Sequence, residues 1–118
     1  MECNVEFIKW MCEKADGFEW IKGITLNVKG PNGHCYTVNE VLIHVRSIIY
    51  PLLLQRAIEG VNKESVEEGT GYLIDINCSD IEVYHIDKNN RQHFEHVNRE
   101  IDNEKESALK YIYEQEKK

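Results

Sequence analysis

The clearest pattern in the chain is a helical stripe. Val41, Leu42, Val45, Ile48, Ile49, Leu52 and Leu53 recur at intervals of three and four, the spacing that gathers side chains on one face of an α-helix. Ile43 and Leu54 widen it. Thr37-Val38-Asn39-Glu40 precedes it with the spacing of a capping box, Thr37 as N-cap and Glu40 reaching back. Pro51 has no N–H and would clash with the Ser47 carbonyl, so the segment is either kinked near Tyr50 or divided into two helices with Pro51 in the first turn of the second. Gly60 stands near the expected end, and the polar stretch 62–71, which includes Gly69-Thr70-Gly71, reads as a loop.

Two further segments carry the helical period. In 4–16, Val5, Ile8, Cys12 and Ala15 form a stripe with Phe7 and Met11 beside it and Trp10 near its edge. Asn4 is the expected N-cap and Gly17 the left-handed C-terminal residue. In 102–115, strong helix formers surround an apolar stripe of Ala108, Leu109 and Ile112, with Ile101 extending it backward. Tyr111 and Tyr113 diverge by about 200° on a helix, so only one of them faces the core.

Elsewhere the period changes to two. Ile24, Leu26 and Val28 alternate with Thr25, Asn27 and Lys29, which predicts a strand with one buried face. Gly30-Pro31-Asn32-Gly33 supplies a turn, and 35–38 a short return strand, making a β-hairpin. Tyr72, Ile74 and Ile76 alternate against Leu73, Asp75 and Asn77 in a strand over 72–78. Ser79-Asp80 turns, 81–86 makes the next strand, Asp87-Lys88-Asn89-Asn90 turns again, and 92–97 reads as a short third strand. The order α-β-β-α-β-β-(β)-α groups hairpins and helices instead of alternating them. It therefore predicts an α+β fold, an antiparallel sheet packed against helices, in a single domain spanning 1–118.

Composition narrows the function classes. With 118 residues, 42% apolar and 30% charged, the chain can bury a core without disulfides or metals. A formal net charge of −7 argues against direct nucleic-acid binding, whose affinity comes largely from Lys and Arg displacing counterions. The start, Met-Glu-Cys-Asn-Val-Glu-Phe, lacks the basic and apolar regions of a secretory signal, and 41–54 is too short and too polar to span a bilayer. A cytoplasmic, soluble protein is expected. Cys3, Cys12, Cys35 and Cys78 contain no C-x-x-C pair, so free thiols packed as small hydrophobes are expected in a reducing compartment.

No catalytic motif stands out, and neither a cofactor nor a resident metal is expected. There is no G-x-S-x-G and no H-E-x-x-H. Gly69-Thr70-Gly71 lacks the Lys and preceding strand of a phosphate cradle. His34 and Cys35 are adjacent and on a strand face opposite ways, and His44 falls off the main stripe of its helix. His85, His93 and Asp87 could approach one another if 81–86 and 92–97 pair, a set that suits zinc and would support a metal-dependent enzyme as one alternative. Another is an oligomer that sequesters a nucleotide signal, with Arg46, Arg56 and Lys63 as its cations. The most informative feature is an acidic run: Glu64, Glu67, Glu68, Asp75, Asp80, Glu82 and Asp87 fall within 64–87 with no Lys or Arg among them. Loop and hairpin of one sign make a local negative field, and Tyr84 within it is a candidate anchor.

Three segments are familiar together: EFIKWMCEKA at 6–15, YPLLLQRAIEGVN at 50–62 and ALKYIYEQ at 108–115. Over about a third of the chain they resemble a group of small uncharacterised proteins encoded by phages and prophages of Gram-positive bacteria. The resemblance carries no catalytic motif and transfers no site residue. It implies a genomic setting in which small accessory proteins bind host proteins, defence systems included. The expectation is a non-catalytic accessory protein whose acidic surface, Glu64, Glu67, Glu68, Asp75, Asp80, Glu82 and Asp87 with Tyr84, docks on a basic host protein such as a nucleic-acid-binding effector. A homo-oligomer remains open.

Overall fold

The computed structural model describes residues 5–41, 49–76, 80–98 and 104–117, with the side chains of 96–98 not described. The fold is α+β: α1 (Val5–Lys14), β1 (Glu19–Trp20), β2 (Val28–Lys29), β3 (Cys35–Tyr36), α2 (Ile49–Glu68), β4 (Gly71–Ile76), β5 (Ile81–Ile86), β6 (Gln92–Asn98) and α3 (Glu104–Glu116). The strands form two separate antiparallel sheets of three, β1-β2-β3 and β4-β5-β6, where the sequence pattern suggests one. Two compact units result, residues 1–57 and 58–118.

In the first unit α1 packs against β1. Phe7, Ile8, Trp10, Met11 and Cys12 are buried along it, whereas Val5, expected on the stripe, is 45% exposed. Gly17 takes the left-handed conformation foreseen for it, at φ 88°. The capping box is present: the Glu40 amide donates to Thr37 Oγ1 at 3.0 Å and the Thr37 amide to Glu40 Oε1 at 2.9 Å. A helical turn follows from Val38, and the stripe positions within 42–48, with Asn4, His44 and Arg46, lie outside the described residues.

The strand expected over 24–28 is a loop up to Asn27. Its amide Nδ2 donates to the carbonyls of Ile21 and Gly23, and the Ile21 amide donates to the Asn27 carbonyl. These bonds fold 21–27 on itself and leave Ile24 fully exposed, while Val28 is buried as expected. Local side-chain bonding of this kind competes with a sheet ladder.

The second unit corrects the 62–71 loop. Helix α2 does not end at Gly60. It continues to Glu68, where Gly69 at φ 72° receives the helix end and its amide donates to the Ser65 carbonyl at 2.8 Å. Ile58, Val61 and Ser65 are buried on one face, and the Ser65 hydroxyl donates to the Asn62 carbonyl at 2.9 Å. Polar residues occupy two positions of the stripe, and so the period was hidden. Asn62 holds the outer edge of β4. Its Nδ2 donates to the Ile74 carbonyl at 3.0 Å, and its Oδ1 accepts the Ile74 amide at 2.7 Å. One side-chain amide thus substitutes for a neighbouring strand.

Strand β5 matches its expected bounds, and α3 packs on β5 and β6 with Ala108, Leu109, Ile112 and Tyr113 buried. Tyr113 takes the core and Tyr111 the seam. The β5–β6 turn and the β2–β3 turn are built alike. In one, Asp87 N–H donates to the Arg91 carbonyl and Asn90 N–H to that of Asp87; in the other, Gly30 donates to His34 and Gly33 to Gly30. The left-handed residue is Asn90 (φ 61°) in the first and Gly33 (φ 85°) in the second, the pattern of a three-residue hairpin loop closed by a bulge.

Candidate functional site

Pairing in β4-β5-β6 decides which side chains share a face, because directly opposite residues project to the same side. One face carries Tyr72 opposite His85 opposite His93, and Ile74 opposite Val83. This is the face that α3 covers. Ile74 and Val83 are buried. Burial raises the pKa of the Tyr72 phenol, and the charge of Glu95 and the groups of Tyr111 and Glu116 on α3 raise it further. Burial and Glu95 raise Tyr111 likewise.

The other face carries Leu73 opposite Tyr84 opposite Phe94, and in the next row Asp75 opposite Glu82. The Tyr84 and Phe94 rings meet edge to face with centroids 5.8 Å apart. Leu73 and Tyr84 are half-buried, whereas Phe94 is 54% exposed. A register shift between Val83 and Tyr84 leaves Glu95 unpaired in β6, and such bulges re-aim neighbouring side chains. The pKa of the Tyr84 phenol is raised by desolvation first, then by the charge of Glu82, by donation of the Tyr84 hydroxyl to Glu82, and by the charge of Asp75. Two carboxylates and an aromatic pair therefore adjoin on one sheet face.

The remaining residues of the acidic run lie elsewhere. Glu64, Glu67 and Glu68 are exposed on α2, Glu67 and Glu68 in a last turn that has no basic residue. Asp80 is half-exposed just before β5. Asp87 belongs to the β5–β6 turn: its Oδ1 accepts the amides of Asn89 at 2.9 Å and Arg91 at 3.0 Å, and its Oδ2 lies 2.7 Å from His93 Nε2. The His93 hydrogen bond, followed by those from the Arg91 and Asn89 amides, holds its carboxyl below the ordinary range. These partners give Asp87 a structural role in the turn.

The alternative constellations are placed as well. His85 and His93 are register partners, and the His85 ring lies 5.1 Å from that of Tyr72. Among the described residues no three His, Cys, Asp or Glu side chains are arranged to hold a metal ion. Arg56, a cation of the nucleotide alternative, donates from Nη1 to the Asp16 carbonyl at 3.2 Å and ties α2 to the end of α1. Cys12 and Cys35 are free thiols. Cys12 is buried as foreseen, with its pKa pushed up to about 12 by burial and then by Glu13, but Cys35 is exposed. No helix among the described residues is long and apolar enough to cross a membrane.

Leu73 and Phe94 were not singled out from the sequence. Alternation placed Leu73 on the face of Asp75, but only the register of β6 brings Phe94 to Tyr84. The chain matches no protein-family model, no curated protein and no solved structure. What the fold and this face define is a class: an acidic α+β protein with an aromatic and carboxylate surface on one sheet.

Proposed function

We propose that the chain is a non-catalytic binding protein that docks on a basic protein through the part of the β4-β5-β6 sheet that carries Leu73, Tyr84, Phe94, Asp75 and Glu82. Leu73, Tyr84 and Phe94 are its anchors, and Asp75 and Glu82 its charge. The observation that carries this reading is the placement of two carboxylates directly opposite each other beside an exposed Phe. Like charges in that position destabilise a sheet, and an exposed aromatic adds nothing to the core; both suit a surface completed by a partner. Exposed Tyr and Phe supply affinity at protein interfaces, and charge sets the rate of approach and the choice of partner. The resemblance to phage and prophage proteins supplies a setting: the target is a host protein, a nucleic-acid-binding effector of a defence system being one with the required basic surface.

The test is retention of a protein from a Gram-positive bacterial lysate by immobilised wild type and variants. Phe94→Ala is expected to weaken retention of the captured protein by more than about fivefold, as truncated anchors do. Asp75→Lys with Glu82→Lys should abolish it, and retention by the wild type should fall steeply with salt. A captured protein held equally by all variants refutes this face. Reversal at Glu67, Glu68 and Asp80 then reports whether the end of α2 or the start of β5 takes part.

A further inference from the structure

An aromatic row beside an acidic row discriminates among cations. Tyr84 and Phe94 are directly opposite, and Asp75 and Glu82 form the next row of the same face. Diagonal neighbours across such a ladder are separated by about 7–8 Å, so one long side chain lying on the face meets both a ring and a carboxylate. We infer that this face selects arginine side chains of its partner over lysine; the inference rests on the binding reading above.

The argument is one of shape. A guanidinium is planar, stacks on an aromatic ring and offers a fork of N–H donors to a carboxylate, while an ammonium is a compact and more strongly hydrated point charge. Phe94, more than half exposed, provides the ring surface. Its edge-to-face contact with Tyr84 fixes that ring beside Glu82, which already accepts the Tyr84 hydroxyl. Charge rules out the other occupants. A second copy of this chain seated face to face would bring Asp75 and Glu82 of both copies together, and a nucleic acid would bring phosphates to the same carboxylates.

Hexa-arginine and hexa-lysine peptides carry equal charge and are the probes. Titration of the full chain at physiological salt, read by amide chemical shifts, gives both affinity and location. Hexa-arginine is expected to bind about two- to fivefold tighter, because both cations gain an aromatic contact but only the guanidinium stacks flat and forks to a carboxylate, with shifts centred on Leu73, Asp75, Tyr84 and Phe94. Phe94→Ala should remove that preference, and Asp75→Asn with Glu82→Gln should weaken both peptides. Equal binding of the two peptides at this face overturns the arginine preference and leaves the acidic docking reading intact. Shifts confined to α2, or none with either peptide, overturn both.

Discussion

Replacing Asn62 by Ala tests how the second unit is held. Strand β4 is an edge of its sheet, and Ile74 turns its backbone N–H and C=O toward the Asn62 amide, at 2.7 and 3.0 Å. The contact is partly buried, so water replaces the lost partner incompletely. Each hydrogen bond contributes about 0.5–1.5 kcal/mol net, and a backbone group left without a partner costs about 1–3 kcal/mol. Asn62→Ala is therefore expected to destabilise the protein by about 2–4 kcal/mol. For a chain of 118 residues, each kcal/mol corresponds to about 4 °C in Tm. Asn62→Asp separates the two bonds: its carboxylate still accepts from the Ile74 amide but sets a charge against the Ile74 carbonyl, so it should not restore wild-type stability. The sharpest assay is hydrogen exchange at the Ile74 amide, which donates to the Asn62 side chain. Its protection should fall in the Ala variant while Val83, at the buried centre of the sheet, keeps more of its own. An Ile74 amide as protected in Asn62→Ala as in wild type, with urea midpoints unchanged, would refute the edge-holding role.

Thr37→Ala removes one half of the capping box and should cost about 1 kcal/mol in urea unfolding. Asn90→Val places a β-branched residue at φ 61° and should cost about 1–3 kcal/mol, whereas Asn90→Gly should stay within about 1 kcal/mol of wild type. Native protein treated with a thiol reagent at mildly alkaline pH should be labelled at Cys35 and spared at Cys12. Because the Cys12 pKa is raised in the folded state, its contribution is complete below the unfolded thiol value and is lost as pH climbs from about 9 toward about 12; Cys12→Ala should flatten that part of the stability profile. Asp75→Lys turns a like-charged pair into an opposite one and should stabilise the fold by up to about 1 kcal/mol, read as a higher urea midpoint.

The elements that were legible in the sequence are those whose period is carried by apolar residues alone. Helix α3 and strand β5 emerge close to their bounds because Ala108, Leu109 and Ile112, and Ile81 and Val83, are all apolar and all buried. Helix α2 was cut short for the opposite reason. Past Ile58 its inward positions are shared with Asn62 and Ser65, which hydrogen-bond instead of packing as hydrophobes, so a hydrophobic scan reads a loop. The alternation of Ile24, Leu26 and Val28 misled because it is not backed by a partner strand; Gly23 lets the Leu26 carbonyl approach to 2.8 Å of where a Cβ would stand, and the chain curls there. Strand β1 is two residues long and has no period to read. At the site, acidity was visible in composition and Tyr84 in sequence. Which acids adjoin Tyr84 depends on cross-strand register, and Phe94 reaches it only through a third strand shifted by a bulge.

The polar side chains divide into those the fold requires and those it does not. Asn62 completes a strand edge, Thr37 and Glu40 cap a helical turn, Asn27 closes a loop, and Asp87 organises a hairpin. Each meets a backbone group, and each would be chosen on stability alone. Asp75 is different: it stands opposite Glu82, which accepts the Tyr84 hydroxyl, and an opposite charge at position 75 would favour that pairing more. Glu67 and Glu68 in the last turn of α2 oppose the helix dipole, where Lys or Arg would stabilise. Pairing and dipole stability do not account for negative charge at Asp75 or at the end of α2. Sites that depart from the fold's own preferences are where function is expected to be found. The sheet face combines such a departure with an exposed aromatic ring, and the end of α2 does not; that asymmetry is why the proposed contact is placed on the sheet and not on the helix end.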